Sequence, residues 1–139
     1  MSECIFCKFA KDLDSAVYHD KRFFWRRDAY PVSPGHTLII PRQHYETFFD
    51  LPYELRVDLE RQIREVKLEL DEEFKPNGYN VGFNCGEAAG QTVMHCHIHV
   101  IPRYVGDIED PRGGVRGCIP SMRIYESGVY KYEPENGHF

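Results

Sequence analysis

Three histidines at alternate positions, His95, His97 and His99, are the residues of this chain best placed to do chemistry. They lie in the stretch 91–103, and apolar residues stand between them. Side chains on a β-strand alternate between faces, so a strand here would carry three imidazoles on one face and apolar groups on the other. Neighbouring imidazoles would lie about 7 Å apart, close enough for all three to contact one polyanionic substrate. The pattern favours an active-site strand over an exposed polar face.

A catalytic metal held by these histidines is a competing hypothesis. Ligands on alternate residues of one strand stand about 7 Å apart, whereas metal–nitrogen distances near 2 Å require the ligands to converge. Imidazole titrates near neutral pH and can act as a nucleophile or a proton carrier without a metal. The spacing therefore favours direct chemistry by the imidazoles.

A second candidate site is the pair Cys4 and Cys7 near the start of the chain. A Cys-x-x-Cys pair can bind zinc, support redox chemistry or form two thiols in a turn. A tetrahedral zinc site needs two further ligands, and the sequence has no second cysteine pair at a suitable spacing. Histidines would have to complete the site.

The run 95–101 resembles the signature of the histidine-triad family, in which three histidines alternate with hydrophobic residues. The resemblance extends upstream through 84–92, Asn-Cys-Gly-Glu-Ala-Ala-Gly-Gln-Thr, and to 34–41, Pro-Gly-His-Thr-Leu-Ile-Ile-Pro. Together these segments cover most of residues 4 to 107. Cys96 stands where the family usually has a larger apolar residue, but a buried free cysteine also behaves as a small hydrophobe. The resemblance implies a nucleotidyl hydrolase or transferase that acts at the α-phosphate through a covalent nucleotidyl-histidine intermediate.

The resemblance also implies roles for individual residues. His97 would attack phosphorus, and His99 would hydrogen-bond the phosphate or leaving group and pass a proton. Gln91 and Thr92, with the N–H groups of the glycine turn 86–90, would hold the non-bridging oxygens as charge develops. The nucleotide-binding residues would be Asp28 at the ribose hydroxyls, His36 in the phosphate pocket, Asn84 and Gly90 before the triad, and Phe6, Phe9 and Leu38 around the base.

In zinc-bearing relatives the ligands missing from a Cys-x-x-Cys pair are a histidine shortly after the His-x-Leu-Ile-Ile-Pro strand and the first histidine of the triad. Carried over, the set is Cys4, Cys7, His44 and His95. Four protein ligands would make this zinc structural. We expect no organic cofactor, and Mg only through substrate phosphates.

The resemblance leads us to expect a dinucleoside polyphosphate hydrolase, with two alternatives. The segments 84–92 and 34–41 resemble the branch that hydrolyses dinucleoside polyphosphates. Asp28, Asn84 and the small size are also similar to the branch that hydrolyses adenosine phosphoramidates. A zinc-stabilised nucleotide-binding protein with incidental hydrolysis is the other alternative. An adenine nucleotide is the substrate that the family leads us to expect.

Length and charge limit the other possibilities. A chain of 139 residues fits one domain, and a net charge of −5 argues against a nucleic-acid surface. The start has no basic segment followed by an apolar run, and no stretch approaches the roughly 20 apolar residues of a membrane span. We expect a cytoplasmic protein that contacts neither nucleic acid nor membrane, in which the five cysteines are metal ligands or packed thiols.

The pattern of apolar residues predicts an α+β fold. A long helix over about 52–74 has apolar residues at spacings of four, four, three, four and four. Short β-branched and aromatic runs predict an antiparallel sheet of about five strands, formed by a hairpin over 15–26, a third strand over 36–40, a fourth over 79–84 and the triad strand. We predict a single domain over 1–139, with its core at about 4–107 and a C-terminal extension over 108–139. The resemblance implies a two-fold homodimer formed through the helix and the strand after it.

Overall fold

A computed structural model of the protein describes residues 4–124. The chain divides into two compact units, one ending at Asp107 and the other beginning at Ile108. The second unit contains short 3-10 turns at Gly114–Cys118 and Pro120–Met122. No helix within the described residues is long and apolar enough to cross a membrane. The organisation as a single domain with an extension stays a prediction, as does the cytoplasmic location, and the end of the predicted extension lies outside the described residues.

The first unit is built on a five-stranded antiparallel sheet in the order β1-β2-β3-β5-β4. Its strands are β1 at Tyr18–His19, β2 at Phe23–Arg27, β3 at Thr37–Pro41, β4 at Gly78–Gly82 and β5 at Ile98–Arg103. With the long helix α2 (Tyr53–Phe74), this confirms the predicted α+β fold. The two-fold dimer stays a prediction.

Helix α2 follows from its apolar stripe. Leu59, Val66 and Leu70 are buried, and the other members of the stripe pack against the same core. Pro52 is the N-cap, where its missing N–H leaves no helical hydrogen bond unmade. The helix ends at Lys75, whose left-handed backbone (φ 51°) lets its N–H reach the carbonyl of Leu70.

A short helix, α1 (Ile5–Lys11), was not predicted. It carries Phe6 and Phe9, two of the residues expected around the base. The backbone N–H of Cys7 lies 3.4 Å from the Sγ of Cys4, which caps the first turn. Seven residues are too few to show a clear 3.6-residue period, and isolated helices of this length are unstable in water, so tertiary packing must hold α1.

The triad strand begins later than predicted, at Ile98. The backbone N–H of Cys96 donates to the carbonyl of Tyr45 at 2.6 Å, outside the sheet ladder. Of the three histidines, only His99 therefore lies on a paired strand. The other strand boundaries shift by one to three residues, so that His36 precedes β3, Asn84 follows β4 and His19 belongs to β1.

The two faces of the sheet bury different side chains. Helix α2 covers a core that includes Trp25, Ile39 and Val100. The opposite face buries Phe24, Leu38 and Ile40 together with residues of α1. The side chains of the triad region open onto this second face.

Gly35 fixes the loop that leads into β3. Its backbone has φ +89°, and a Cβ added there would lie 3.0 Å from a ring carbon of Phe74 and 3.1 Å from a methyl carbon of Leu70. Only glycine combines this conformation with so close an approach to α2. The neighbouring His36 therefore depends on Gly35 for its position.

We expect Gly35→Ala to destabilise the protein by about 1–3 kcal/mol, because it adds both backbone strain and a steric clash. The matched control is Gly82→Ala. The backbone of Gly82 is outside the left-handed region, and a Cβ added there would have no atom within 4 Å. Urea unfolding of the two variants measures the difference. Equal stabilities would contradict this account of the loop.

Candidate functional site

Two clusters of polar side chains lie beside the start of β5. One contains Cys4, Cys7, His44 and His95, and the other contains Asp28, His36 and His99. In each cluster the potential ligand atoms lie within 4.8 Å of one another. The central His97 ring is 5.2 Å from the His99 ring and 5.0 Å from the Phe6 ring, centroid to centroid.

The Cys–His cluster converges on one point. The Nδ1 of His95 is 3.4 Å from the Sγ of Cys4, 3.5 Å from the Sγ of Cys7 and 3.1 Å from the Nδ1 of His44. The Sγ of Cys7 is 3.3 Å from the same His44 nitrogen. Tetrahedral zinc bonds of about 2.3 Å to sulfur and 2.0–2.1 Å to nitrogen would separate the ligands by about 3.3–3.8 Å. The side chains fit a tetrahedral ion of this size with little movement.

Hydrogen bonding prepares His95 for such a role. Its Nε2 lies 2.8 Å from the carbonyl oxygen of Pro41, which can only accept, so Nε2 carries the proton and the Nδ1 lone pair faces the cluster. The side chain is fully buried, and burial lowers the pKa of His95, which keeps the ring neutral. Thiolate and neutral imidazole are the donor types that zinc prefers.

His97 has one nitrogen held by the backbone. Its Nδ1 lies 2.9 Å from the carbonyl oxygen of His95, so Nδ1 must donate the hydrogen bond. In the neutral ring the lone pair is then on Nε2. The ring of Phe6 packs edge-on against the rings of His95 and His97 and supports this orientation.

A second chain of hydrogen bonds fixes His36 and His99. The backbone N–H of Val32 donates to the Nδ1 of His36 at 3.0 Å, so the proton of that ring is on Nε2. This Nε2 lies 2.9 Å from the Nδ1 of His99 and 3.5 Å from the Oδ2 of Asp28. Because His99 accepts at Nδ1, it carries its own proton on Nε2.

Burial keeps both of these rings neutral near pH 7. Desolvation, with smaller effects from His97 and His36, lowers the pKa of His99 to about 4. Desolvation also lowers the pKa of His36, although the nearby Asp28 carboxylate acts in the opposite direction. His99 is therefore a hydrogen-bond donor at neutral pH, not a reservoir of an extra proton.

The residues predicted to bind phosphate before the triad differ in their exposure to solvent. Gln91 is buried, and its amide accepts from the N–H of Gly86 (2.8 Å) and donates to the carbonyls of Glu46 (2.7 Å) and Val93 (3.1 Å). A direct contact between Gln91 and phosphate would break these bonds, so its amide braces the loop. Thr92, Asn84 and Gly90 are exposed beside this turn, and Gly90 has a positive φ of 90°.

The predicted base-pocket residues Phe6, Phe9 and Leu38 belong to one apolar cluster. The sequence analysis missed Arg26, whose Cζ lies 3.6 Å above the centre of the Phe9 ring. A cation within a β-strand at this distance from the triad gives no signal in the sequence alone. The backbone groups that orient the histidines also gave none.

Comparison with known proteins agrees with the geometry. A family model described as the HIT domain matches residues 11–106. The protein named Hit of Bacillus subtilis is 42% identical over 103 residues, which are 73% of this chain and 71% of that protein. An adenylylsulfatase of Arabidopsis thaliana is 32% identical over 104 residues, 73% of this chain and 53% of the enzyme. A bis(5'-nucleosyl)-tetraphosphatase of Schizosaccharomyces pombe is 36% identical over 80 residues, 58% of this chain and 44% of the enzyme.

Solved structures show the same fold. The crystal structure of a hypothetical histidine triad nucleotide-binding protein from Sulfolobus tokodaii superposes with a TM-score of 0.71 and 35% identity. The match covers 77% of this chain and 73% of that one.

The lowered pKa of His99 predicts a pH dependence of stability. Because the folded ring resists protonation, protons bind the unfolded chain more tightly between the ordinary pKa of 6.5 and the folded value of about 4. Stability should therefore fall as pH decreases through this range. In His99→Gln the fall should be shallower, whereas His19→Gln, a change at an exposed histidine, should keep the wild-type slope. Urea unfolding between pH 4.5 and 7.5 measures both slopes, and identical slopes for wild type and His99→Gln would refute the assignment.

Proposed function

The chain belongs to the HIT-domain family, and from this premise we propose that it hydrolyses the bond between the α-phosphate of a nucleotide and its leaving group. The observation that carries the proposal is the pair of fixed tautomers at the triad. His97 has its Nε2 lone pair available, and the neighbouring His99 has an N–H to donate. A nucleophile and a donor thus stand side by side, about 5.2 Å apart between ring centres.

In the first step the Nε2 of His97 would attack the α-phosphorus as the bond from phosphorus to the leaving group breaks. The ring becomes positively charged, and its Nδ1–H remains bonded to the carbonyl of His95, which stabilises that charge. The N–H of His99 would donate to a phosphate or leaving-group oxygen. In the second step water attacks the same phosphorus, the phosphorus–nitrogen bond breaks, and the water proton passes to solvent as His97 regains its lone pair.

The neutral state of His99 favours one class of leaving group. An amine needs a proton to depart, and a ring with a pKa of about 4 has no spare proton to give at pH 7. A phosphate or polyphosphate departs as a stable anion and needs only a hydrogen bond. We therefore favour a phosphoanhydride, such as a dinucleoside polyphosphate, over a phosphoramidate. The tetraphosphatase and the adenylylsulfatase among the relatives, both named for anhydride substrates, support this choice.

Other residues would hold the substrate. Asp28 lies at the end of β2 beside His36, where its carboxylate can accept from ribose hydroxyls. The N–H groups of the turn around Gly90, with Thr92 and Asn84 exposed nearby, would hold phosphate oxygens. Any Mg would enter through the substrate phosphates.

The Cys–His cluster supports a structural zinc. Four protein ligands leave no position for substrate, so the ion would stabilise the fold and take no part in the reaction. When bound, it would join the start of α1 to His95, whose carbonyl orients the nucleophile. Loss of the ion would therefore lower activity only indirectly.

His97→Ala should abolish hydrolysis of a dinucleoside tetraphosphate while leaving nucleoside monophosphate binding within about threefold, because the nucleophile is lost and the pocket is not. Steady-state kinetics and calorimetric titration measure the two properties. His19→Ala, at an exposed position, is the control and should retain wild-type kinetics. Wild-type protein that binds nucleotide but shows no turnover would instead support the binding-protein alternative. A higher kcat/KM on an adenosine phosphoramidate than on the tetraphosphate would reverse the choice of substrate.

Protein purified without added metal should contain about one zinc per chain. Cys7→Ser should lose most of it and unfold at a markedly lower temperature, since structural zinc contributes its binding energy to folding. Cys118→Ser, a change at an exposed thiol outside the cluster, should retain the metal. Elemental analysis and thermal unfolding decide, and metal-free wild type of equal stability would exclude the site.

A further inference from the structure

Arg26 is a half-buried cation on the same face of the sheet as the triad. Its Cζ lies 3.6 Å from the centre of the Phe9 ring, and its Nη1 is 3.4 Å from the hydroxyl of Ser15. Among the described residues no carboxylate forms an ion pair with it. A guanidinium has five N–H donors, so most of the donors of Arg26 have no acceptor in the part of the chain that the structure describes.

The next residue shows what a structural arginine looks like in this fold. Arg27 points to the opposite face and donates to Thr37 (2.6 Å), Glu69 (2.6 Å) and Glu73 (3.1 Å). The charge of Arg27 is balanced by the two glutamates, and both of its terminal nitrogens donate hydrogen bonds. Arg26, by contrast, makes one side-chain hydrogen bond within residues 4–124, the long contact with Ser15.

The sheet register places Arg26 in line with the chemistry. Arg26 pairs directly with Leu38, and Leu38 pairs directly with His99. Residues that pair directly point to the same face, so the three form a row about 10 Å long, two strand spacings. Asp28, two residues after Arg26, still pairs with His36 through its backbone N–H and shares that face. A nucleoside with its α-phosphate at the triad and its ribose at Asp28 would bring its base to Arg26.

The contact with Phe9 changes how a base can bind. Arg26 covers one face of the Phe9 ring, so a base cannot stack on that face. The base would instead meet the guanidinium, either along its edge or on its free side. Arg26 offers donors only, and a planar fork pairs best with two neighbouring acceptors.

We infer that Arg26 selects the base and that the preferred nucleotide is a guanine nucleotide, which replaces the family expectation of adenine. Guanine presents two acceptors, O6 and N7, along one edge, and a bidentate arginine matches them. Adenine presents N7 beside the N6 amino group, a donor that would face another donor. The inference rests on the proposed function, because that function places the nucleotide along the row.

The test compares the affinities of GMP and AMP by calorimetric titration. Wild type should bind GMP at least about fivefold more tightly, the lower end of the discrimination that a bidentate contact provides. Arg26→Gln should lose or reverse the preference, since a glutamine amide matches adenine N6 and N7. Arg26→Lys, which keeps the charge and the stem but not the fork, should reduce the ratio and serves if the glutamine variant does not fold. Arg64→Gln, at an exposed arginine of α2, is the control and should keep the wild-type ratio.

Equal affinities in the wild type, or a GMP preference unchanged in both Arg26 variants, would overturn the inference. If Arg26 has a purely structural role, its substitution would lower the affinities for GMP and AMP together and leave their ratio unchanged. That result would also contradict the inference. Unselective binding with normal turnover would overturn the base assignment alone. Failure of wild type to bind either nucleotide would overturn the proposed function as well.

Discussion

Three backbone groups determine what each imidazole of this site can do. The carbonyl of Pro41 holds the Nε2 proton of His95, the carbonyl of His95 holds the Nδ1 proton of His97, and the N–H of Val32 occupies the Nδ1 of His36. A carbonyl only accepts and an amide N–H only donates, so each bond permits a single tautomer of the neutral ring. These bonds decide which nitrogen of His95 faces the Cys–His cluster, which nitrogen of His97 has the lone pair, and which nitrogen of His36 donates to His99.

The fold fixes the positions of these backbone groups. Pro41 ends β3, which lies inside the sheet and is buried along its length. Val32 belongs to the loop that Gly35 allows to pack closely against α2. Helix α2 packs on one face of the sheet and the candidate site lies on the other, so the main core does not fill the site.

Sequence reasoning predicted what depends on local pattern. Helix α2 was predicted because its stripe is long and regular, and the sheet because β-branched and aromatic runs recur between turns. Helix α1 was missed because seven residues carry little periodicity. The predicted start of the triad strand was wrong. The strand begins only at Ile98, because the N–H of Cys96 donates to Tyr45, a residue distant in sequence, and not to a neighbouring strand. The Cys–His set came from family resemblance, since spacing alone could not connect residues so far apart. The tautomers of the histidines and the stacking of Arg26 on Phe9 depend on tertiary contacts, so the sequence pattern could not predict them.

Burial, more than the backbone bonds, makes His36, His95 and His99 neutral, because it lowers the pKa of each ring. Under the proposed function, these three rings would meet an anionic phosphate with dipoles and N–H donors, not with full positive charges. As its bond to phosphorus forms, His97 would gain positive charge directly between the phosphate and the carbonyl of His95. An interaction that strengthens only as the transition state is reached raises kcat, whereas a permanent cation would bind substrate and transition state alike. If His97 attacks as proposed, the carbonyl of His95 would therefore stabilise the transition state more than the bound substrate.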